Sequence, residues 1–122
     1  MKVDTLWTNA NVGQEFLTQY ITLNAAMSNY KFIAILAWAD GTNYPFLTFM
    51  VASGEKASDS SSSIMASFRG IASGVTSWAR RAVRVESDTS LFFDIGYYIN
   101  SGSSTANQYN NVCIPFKVFG IK

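Results

Sequence analysis

The 122-residue sequence has no histidine and a single cysteine, Cys113. Histidine is the commonest general base and metal ligand in proteins, and transition-metal sites of ordinary type need several His or Cys side chains. One cysteine also rules out a disulfide within the chain. We therefore expect no metal and no cofactor, and we interpret Cys113 as a small buried residue of an apolar strand rather than as a nucleophile.

Charge and long apolar runs are scarce as well. Charged residues make up 14% of the chain and the net charge is +1, so there is no electrostatic field to attract nucleic acid, and we expect none as a partner. No apolar run reaches the roughly 18 residues that a membrane helix needs, which predicts no membrane insertion.

The sequence also lacks recognisable catalytic motifs. Glycine-rich phosphate loops and nucleophile elbows do not occur. Glu86 and Asp88, with Asp94 nearby, leave a glycosidase-like carboxylate pair as the remaining enzymatic alternative. Isolated acids near strand ends are usually solvated turn residues, so we expect a protein that is not an enzyme.

Apolar and aromatic residues are abundant, at 48% and 15%. A chain of this length forms one domain, residues 1–122, with a core of its own. Alternating or continuous apolar segments, separated by polar turns, predict at least six strands. The expected fold is all-β: an antiparallel, jelly-roll-like β-sandwich. The segments are residues 18–23, 31–38, 46–51, 82–87, 90–98 and the C-terminal strand after residue 111. Leu91, Phe93, Ile95 and Tyr97 are expected on one face. Residues 53–63 and 100–111 are expected to be polar loops.

Residues 64–78 allow two interpretations. Their apolar positions are spaced by threes and fours, as in a helix. Gly70 and Gly74 weaken a helix, and the turn residues at 72–74 fall where a hairpin would need them. We favour two strands and leave the helix open.

The last segment, residues 112–121, is unusually apolar for a chain end. The alternating set Val112, Ile114, Phe116 and Val118 predicts an inward face that includes Phe116. Pro115 is acceptable in an edge strand or at a bulge, where its missing N–H is not needed.

Three arginines lie close together in the sequence, at Arg80, Arg81 and Arg84. Adjacent strand residues point to opposite faces, so Arg80 and Arg81 cannot form one patch. We expect them to be solvated rim charges or partners in ion pairs between subunits.

Two polar loops combine aromatic rings with neutral hydrogen-bonding groups. Asp40, Asn43 and Tyr44 lie in "DGTNYP", and Asn107 and Tyr109 lie in "TANQYNN". Such rings can stack on sugars while amides and carboxylates bind the hydroxyl groups. We predict that these five residues bind saccharide, and the alternative is that each ring covers the end of the core or an interface.

Several segments resemble a known family. "LWTN" (6–9), "FLTQYITL" (16–23), the "Y.FIAI" stretch from Tyr30 to Ile35 and the ending "CIPFKVFGIK" look like a small β module of bacteriophage virion proteins. In phages of gut Gram-positive bacteria this module often forms the C-terminal head of tail fibres or receptor-binding proteins. The resemblance covers nearly the whole chain and is loose between residues 52 and 89.

The resemblance implies a location on the phage particle surface, a homotrimeric jelly-roll head and attachment to host-surface saccharide. The alternative is a head or tail decoration protein that binds only other virion proteins. The module starts directly at Met1, so the chain is expected to be either an excised head or a free-standing virion protein. Low charge and abundant aromatic residues also favour association. We predict Trp7, Trp78 and Phe119 as interface residues.

Overall fold

The protein was analysed as a computed structural model that describes residues 1–51, 62–72 and 75–122. Most of the polar loop predicted at 53–63 lies outside these residues, and its last two residues begin a strand. Among the described residues, no helix is long and apolar enough to cross a membrane.

The described residues form nine strands and one short 3₁₀ turn, Met27–Asn29. The strands are β1 Val3–Thr8, β2 Gln19–Thr22, β3 Phe32–Asp40, β4 Asn43–Val51, β5 Ser62–Ala72, β6 Val75–Ser87, β7 Ser90–Asn100, β8 Asn107–Gln108 and β9 Val112–Ile121.

These strands form two antiparallel sheets. The four-stranded sheet has the order β1-β9-β3-β4, and the five-stranded sheet has the order β2-β7-β6-β5 with β8 also paired to β7. The first two strands lie in different sheets, and each pairs with a strand from near the end of the chain: β1 with β9 in one sheet and β2 with β7 in the other. The inner faces of the sheets share one core, so the predicted all-β, antiparallel β-sandwich is confirmed.

The core consists of apolar side chains from both sheets. Ile33, Ile35 and Val118 come from the four-stranded sheet, and Leu91 and Phe93 come from the five-stranded sheet; all are almost completely buried. Burying alternate apolar residues is the main favourable term in folding a sandwich of this kind.

Residues 64–72 and 75–78 belong to strands, as favoured from the sequence. Strand β5 pairs with β6 in an antiparallel register that joins Met65 to Arg81 and Phe68 to Trp78. Met65 is fully buried and its neighbour Ile64 is exposed, which is the period of two that a strand requires. The register shifts between Phe68 and Gly70, which leaves Arg69 as a bulge residue.

A second irregularity changes which face the end of β7 presents. Leu91 and Phe93 are buried as predicted, but the register of β7 against β6 shifts between Arg81 and Val83. Beyond the shift, Tyr97 lies opposite exposed Arg80 and Tyr98 lies opposite buried Ala79. The predicted common face of Leu91, Phe93, Ile95 and Tyr97 is therefore wrong after Phe93, because a bulge reverses the alternation.

The C-terminal strand β9 lies inside its sheet, between β1 and β3. Its register against β3 shifts between Leu36 and Ala37, next to Pro115. Pro115 thus lies at a bulge, and the edge-strand alternative is wrong. The same bulge turns Phe116 away from the core: its ring is half-buried and packs 6.2 Å from the ring of Trp38.

The first and last segments of the chain meet around Tyr30 and Gly120. The Tyr30 ring covers Gly120 so closely that an added Cβ would lie 2.6–2.8 Å from three ring atoms. The Tyr30 hydroxyl donates a hydrogen bond to Asp4 Oδ2 at 2.8 Å, and this bond raises the pKa of Tyr30. Gly120 is therefore needed for the close approach of an aromatic ring.

Arg81 corrects the expectation of solvated arginines. Arg80 is exposed, but Arg81 is fully buried between the sheets. Its guanidinium donates hydrogen bonds to backbone carbonyl oxygens, and its charge lies 5.5 Å from the centre of the Phe16 ring. Burial lowers the pKa of Arg81 to about 10, so the side chain remains charged at neutral pH. The acceptors are Asp94 at 2.6 Å, Val112 at 3.0 Å, Cys113 at 3.1 Å and Asn110 at 3.2 Å.

Cys113 is fully buried, as expected for a small core residue. Its Sγ lies 3.7 Å from the carbonyl oxygen of Met65. Burial raises the pKa of the Cys113 thiol to about 12, from an ordinary value of 9.0.

This pKa difference predicts a loss of stability at alkaline pH. The unfolded chain releases the thiol proton near its ordinary pKa, whereas the folded chain keeps it until about pH 12. The contribution to stability is therefore complete below pH 9 and declines as pH rises toward 12. From about pH 8 to pH 10, we expect the wild type to lose about 1 kcal/mol more of its free energy of unfolding than Cys113→Ala. Urea denaturation under reducing conditions measures both slopes, and equal slopes would contradict the assignment.

Candidate functional site

The two loops predicted to bind saccharide lie at the same end of the sandwich. Asp40 and Asn43 face each other across the β3–β4 hairpin. The backbone N–H of Gly41 in this hairpin donates a 2.9 Å hydrogen bond to the carbonyl oxygen of Asn111, just before β9. Gly41 has a φ of 59°, a conformation that glycine adopts without strain. The hairpin is thus tied directly to the segment that follows Asn107 and Tyr109.

Arg69 joins the side chains of the two loops. Its Nε lies 3.4 Å from Asp40 Oδ1, at ion-pair distance. Its Cζ lies 4.4 Å from the ring centre of Tyr98 and 5.4 Å from that of Tyr109. A guanidinium over tyrosine rings is held by cation–π attraction. We call Asp40, Tyr44, Phe68, Arg69, Tyr98 and Tyr109 the end cluster.

Sequence reasoning missed Arg69. The residue lies within an apolar segment, and its position depends on the bulge between Phe68 and Gly70. A glycine within a strand often marks a bulge, so Gly70 was the available signal. The bulge also accounts for Arg69 standing beside the partly buried tyrosines instead of continuing the strand's alternation.

Tyr44 has an unusual backbone conformation. Its φ is 61°, which is uncommon for a bulky residue and costs conformational energy. In this conformation its ring packs edge-to-face against Phe68 of the other sheet, with 6.3 Å between ring centres. Such strain persists where the surrounding structure fixes it, and it is more frequent at functional sites.

An aromatic row continues from Tyr44 across the end cluster. Phe68 packs edge-to-face against Trp78, with ring centres 5.7 Å apart. Tyr44 and Trp78, at the two ends of the row, are 51% and 50% exposed. Beyond Trp78 the row opens into a depression of about 260 Å³ on the outer face of the five-stranded sheet. Residues lining the depression include Ala66, Trp78, Arg80, Tyr97 and Ile99.

The predicted saccharide residues differ in exposure. Asn43 and Tyr44 are exposed, whereas Asp40, Asn107 and Tyr109 are partly buried. Tyr109 packs against the core and edge-to-face on Tyr98 at 5.8 Å. Its ring thus covers the end of the core, which was the alternative for this residue, and Tyr44 presents the more accessible ring.

The predicted interface residues are not brought together. Trp7 packs on Phe16 and Phe93, with ring centres 6.1 and 6.4 Å apart. Trp78 lies on the outer face of the five-stranded sheet, and Phe119 lies on the outer face of the four-stranded sheet. Whether any of them contacts another subunit remains a prediction.

A second, more polar depression of about 240 Å³ lies beside the loop between β1 and β2. Asn9 within it is committed to the fold, since its Nδ2 donates to the carbonyl oxygen of Pro115 at 2.9 Å. Asn11, Gln14 and Glu15 are exposed. This depression contains none of the five residues predicted to bind saccharide. It is lined by Trp7, Thr8, Asn9, Ala10, Asn11, Gln14, Glu15, Phe16 and Gln19.

The acids considered for catalysis each have a local structural partner. Glu86 pairs with Arg84 at 3.0 Å, and Asp88 accepts hydrogen bonds from the backbone and hydroxyl of Ser28. Asp94 accepts a hydrogen bond from the Ile95 N–H at 2.7 Å. Within the described ranges, no three His, Cys, Asp or Glu residues lie close enough to hold a metal ion.

Comparisons with protein-family models, curated proteins and solved structures found no match to this chain. The function is therefore argued from the geometry of the site and from the resemblance in the sequence.

Proposed function

We propose that this chain is a non-enzymatic bacteriophage virion module that attaches the particle to saccharide on the host surface. The observation that carries the proposal is the aromatic row Tyr44, Phe68 and Trp78, which is open to solvent at both ends beside polar groups of the end cluster. The sequence resemblance adds the virion context, the homotrimeric assembly and the position on the particle surface.

The chemistry of the end cluster suits a sugar without a strong charge. Asn43 directly precedes Tyr44 and faces Asp40 across the hairpin, and Asn107 is in register with Tyr98. The side chains of these residues offer acceptors and donors to hydroxyl groups. Exposed rings stack on the apolar faces of sugar rings, and the rigid aromatic side chains lose little entropy on binding. Arg69 pairs with Asp40 at 3.4 Å, so the end cluster presents little net charge to a bound sugar.

A decoration protein that binds only other virion proteins is the second candidate. The observation that favours it is the exposed apolar outer face of the four-stranded sheet, with Leu47 and Phe49 more than half exposed. Surfaces of this kind are typical of protein contacts rather than of saccharide binding. The two candidates differ in whether the protein binds polysaccharide at all.

Replacing Tyr44 tests the site with little risk to the fold. Because the ring is half exposed and lies at one end of the row, Tyr44→Ala should weaken binding to host cells or isolated host polysaccharide about tenfold. Its melting temperature should stay close to that of the wild type. Isothermal titration calorimetry with the polysaccharide measures the affinity.

Tyr20→Ala is the matched control. Tyr20 is 59% exposed and packs on Phe92, away from the end cluster. The control should keep the wild-type affinity. Equal affinities for Tyr44→Ala and the wild type would rule out the end cluster, and binding that depends instead on Gln14 or Glu15 would move the site to the polar depression.

A further inference from the structure

The outer face of the four-stranded sheet is apolar across all four strands. On β3, Phe32, Leu36 and Trp38 alternate with buried Ile33, Ile35, Ala37 and Ala39, and Ala34 shares their outward register although it is itself buried. The register places apolar residues of the other strands beside this outward set. We call these residues the outer apolar face: Val3, Phe32, Ala34, Leu36, Trp38, Pro45, Leu47, Phe49, Val51, Phe119 and Ile121.

This face has almost no charge. Across the four strands, all of which the structure describes, two charged residues share the alternation of the outward set: Lys117, opposite Leu36, and Asp40 at the end of β3, which pairs with Arg69. The outer face of the other sheet differs, since Arg80 and Arg84 lie over the rings of Tyr97 and Phe92. Edge strands of isolated domains usually carry charges that prevent association, and β4 lacks them.

The exposed apolar area is of the size of the largest patches on isolated domains, which are often functional. Phe49, Leu47, Val51, Val3 and Phe32 are 45–59% exposed. Half-exposed side chains of this size leave roughly 400 Å² of apolar surface among the five. A standard interface takes about 800 Å² from each partner, and the partly exposed members of the face supply further area.

We propose that the outer apolar face is the contact surface between copies of this chain. The stretch of chain that follows β4, residues 52–61, reads "ASGEKASDSS" and has no large apolar side chain that could cover the face. Around a three-fold axis, one part of this uncharged face meets a different part of the neighbouring copy's face, so the contact buries apolar surface of every copy without leaving a charge unpaired. The inference rests on the assembly part of the proposed function and is independent of saccharide binding.

Leu47→Lys and Phe49→Lys test this surface, with Ile64→Lys as the matched control. Leu47 is 52% exposed on edge strand β4, and Ile64 is 55% exposed on edge strand β5 of the other sheet. Light scattering of the wild type at micromolar concentration should give about three times the 13.4 kDa mass of one chain. Either β4 variant should raise the dissociation constant at least about tenfold, while Ile64→Lys should keep the wild-type mass.

Circular dichroism separates dissociation from unfolding, and Phe49→Ala serves as a milder variant if a lysine disturbs the strand. A wild-type mass of 13.4 kDa that persists on concentration would overturn the proposal. Dissociation of Ile64→Lys with Leu47→Lys unaffected would also overturn it, because the contact would then lie on the other sheet. Polysaccharide binding by the dissociated variants would show that the two sites are separate and would leave the saccharide proposal intact.

Discussion

Arg81→Met is expected to lower the free energy of unfolding by about 3 kcal/mol. The variant leaves carbonyl oxygens of Asp94, Val112 and Cys113 without the donors that Arg81 supplies. Each buried carbonyl left unpaired costs about 1–3 kcal/mol, and relief from burying the charge offsets part of the total. Chemical denaturation measures the change.

Arg80→Met is the control one residue away. Arg80 is exposed and lies 4.9 Å from the ring of Tyr97, so its loss should cost under about 1 kcal/mol. Arg81→Lys should fall between the two, because an ammonium keeps the charge but not the planar set of donors. A similar cost for Arg80→Met and Arg81→Met would contradict a bonding role for the buried guanidinium.

Phe93→Ala should cost about 3–5 kcal/mol, the range for emptying a buried aromatic site. Phe93 is fully buried. Its ring packs edge-to-face against Phe16 at 5.5 Å and lies 6.4 Å from Trp7. Loss of this ring removes contacts that join β7 to β1 and to the loop before β2. The midpoint of denaturation, with an unchanged slope, gives the cost.

The neighbouring Phe92 provides the control. It lies on the outer face, where its ring packs on Tyr20 at 4.8 Å and beneath Arg84. Phe92→Ala should therefore cost clearly less than Phe93→Ala. The opposite order would mean that the register of β7 is shifted by one residue, which would exchange its two faces.

The pattern of apolar residues predicted most of the strands, because the inner face of each sheet is more deeply buried than its outer face. The run of residues 31–38 marked β3, and the alternation of residues 18–23 marked β2. The errors occur at bulges. An extra residue near Pro115 turns Phe116 outward, and another after Phe93 exchanges the faces on which Tyr97 and Tyr98 lie. Each strand stays as apolar as a regular one, so its composition does not reveal the bulge.

The candidate site was predictable only in part. Turn residues placed Asp40, Asn43 and Tyr44 in one hairpin, but their contact with Tyr109 depends on Arg69, which comes from a strand distant in the sequence. The burial of Arg81 was equally hidden, since its acceptors are backbone oxygens rather than an acid. Long-range contacts through backbone groups leave no pattern in side-chain spacing.

Host attachment is tested by a screen of the wild-type protein against immobilised host polysaccharides, with analysis of the released material. We expect binding to at least one polysaccharide, binding weakened about tenfold in Tyr44→Ala, and intact polysaccharide after incubation. If the folded protein binds none of the polysaccharides, host attachment is contradicted and the decoration role remains. Release of shortened saccharide would contradict the non-enzymatic assignment.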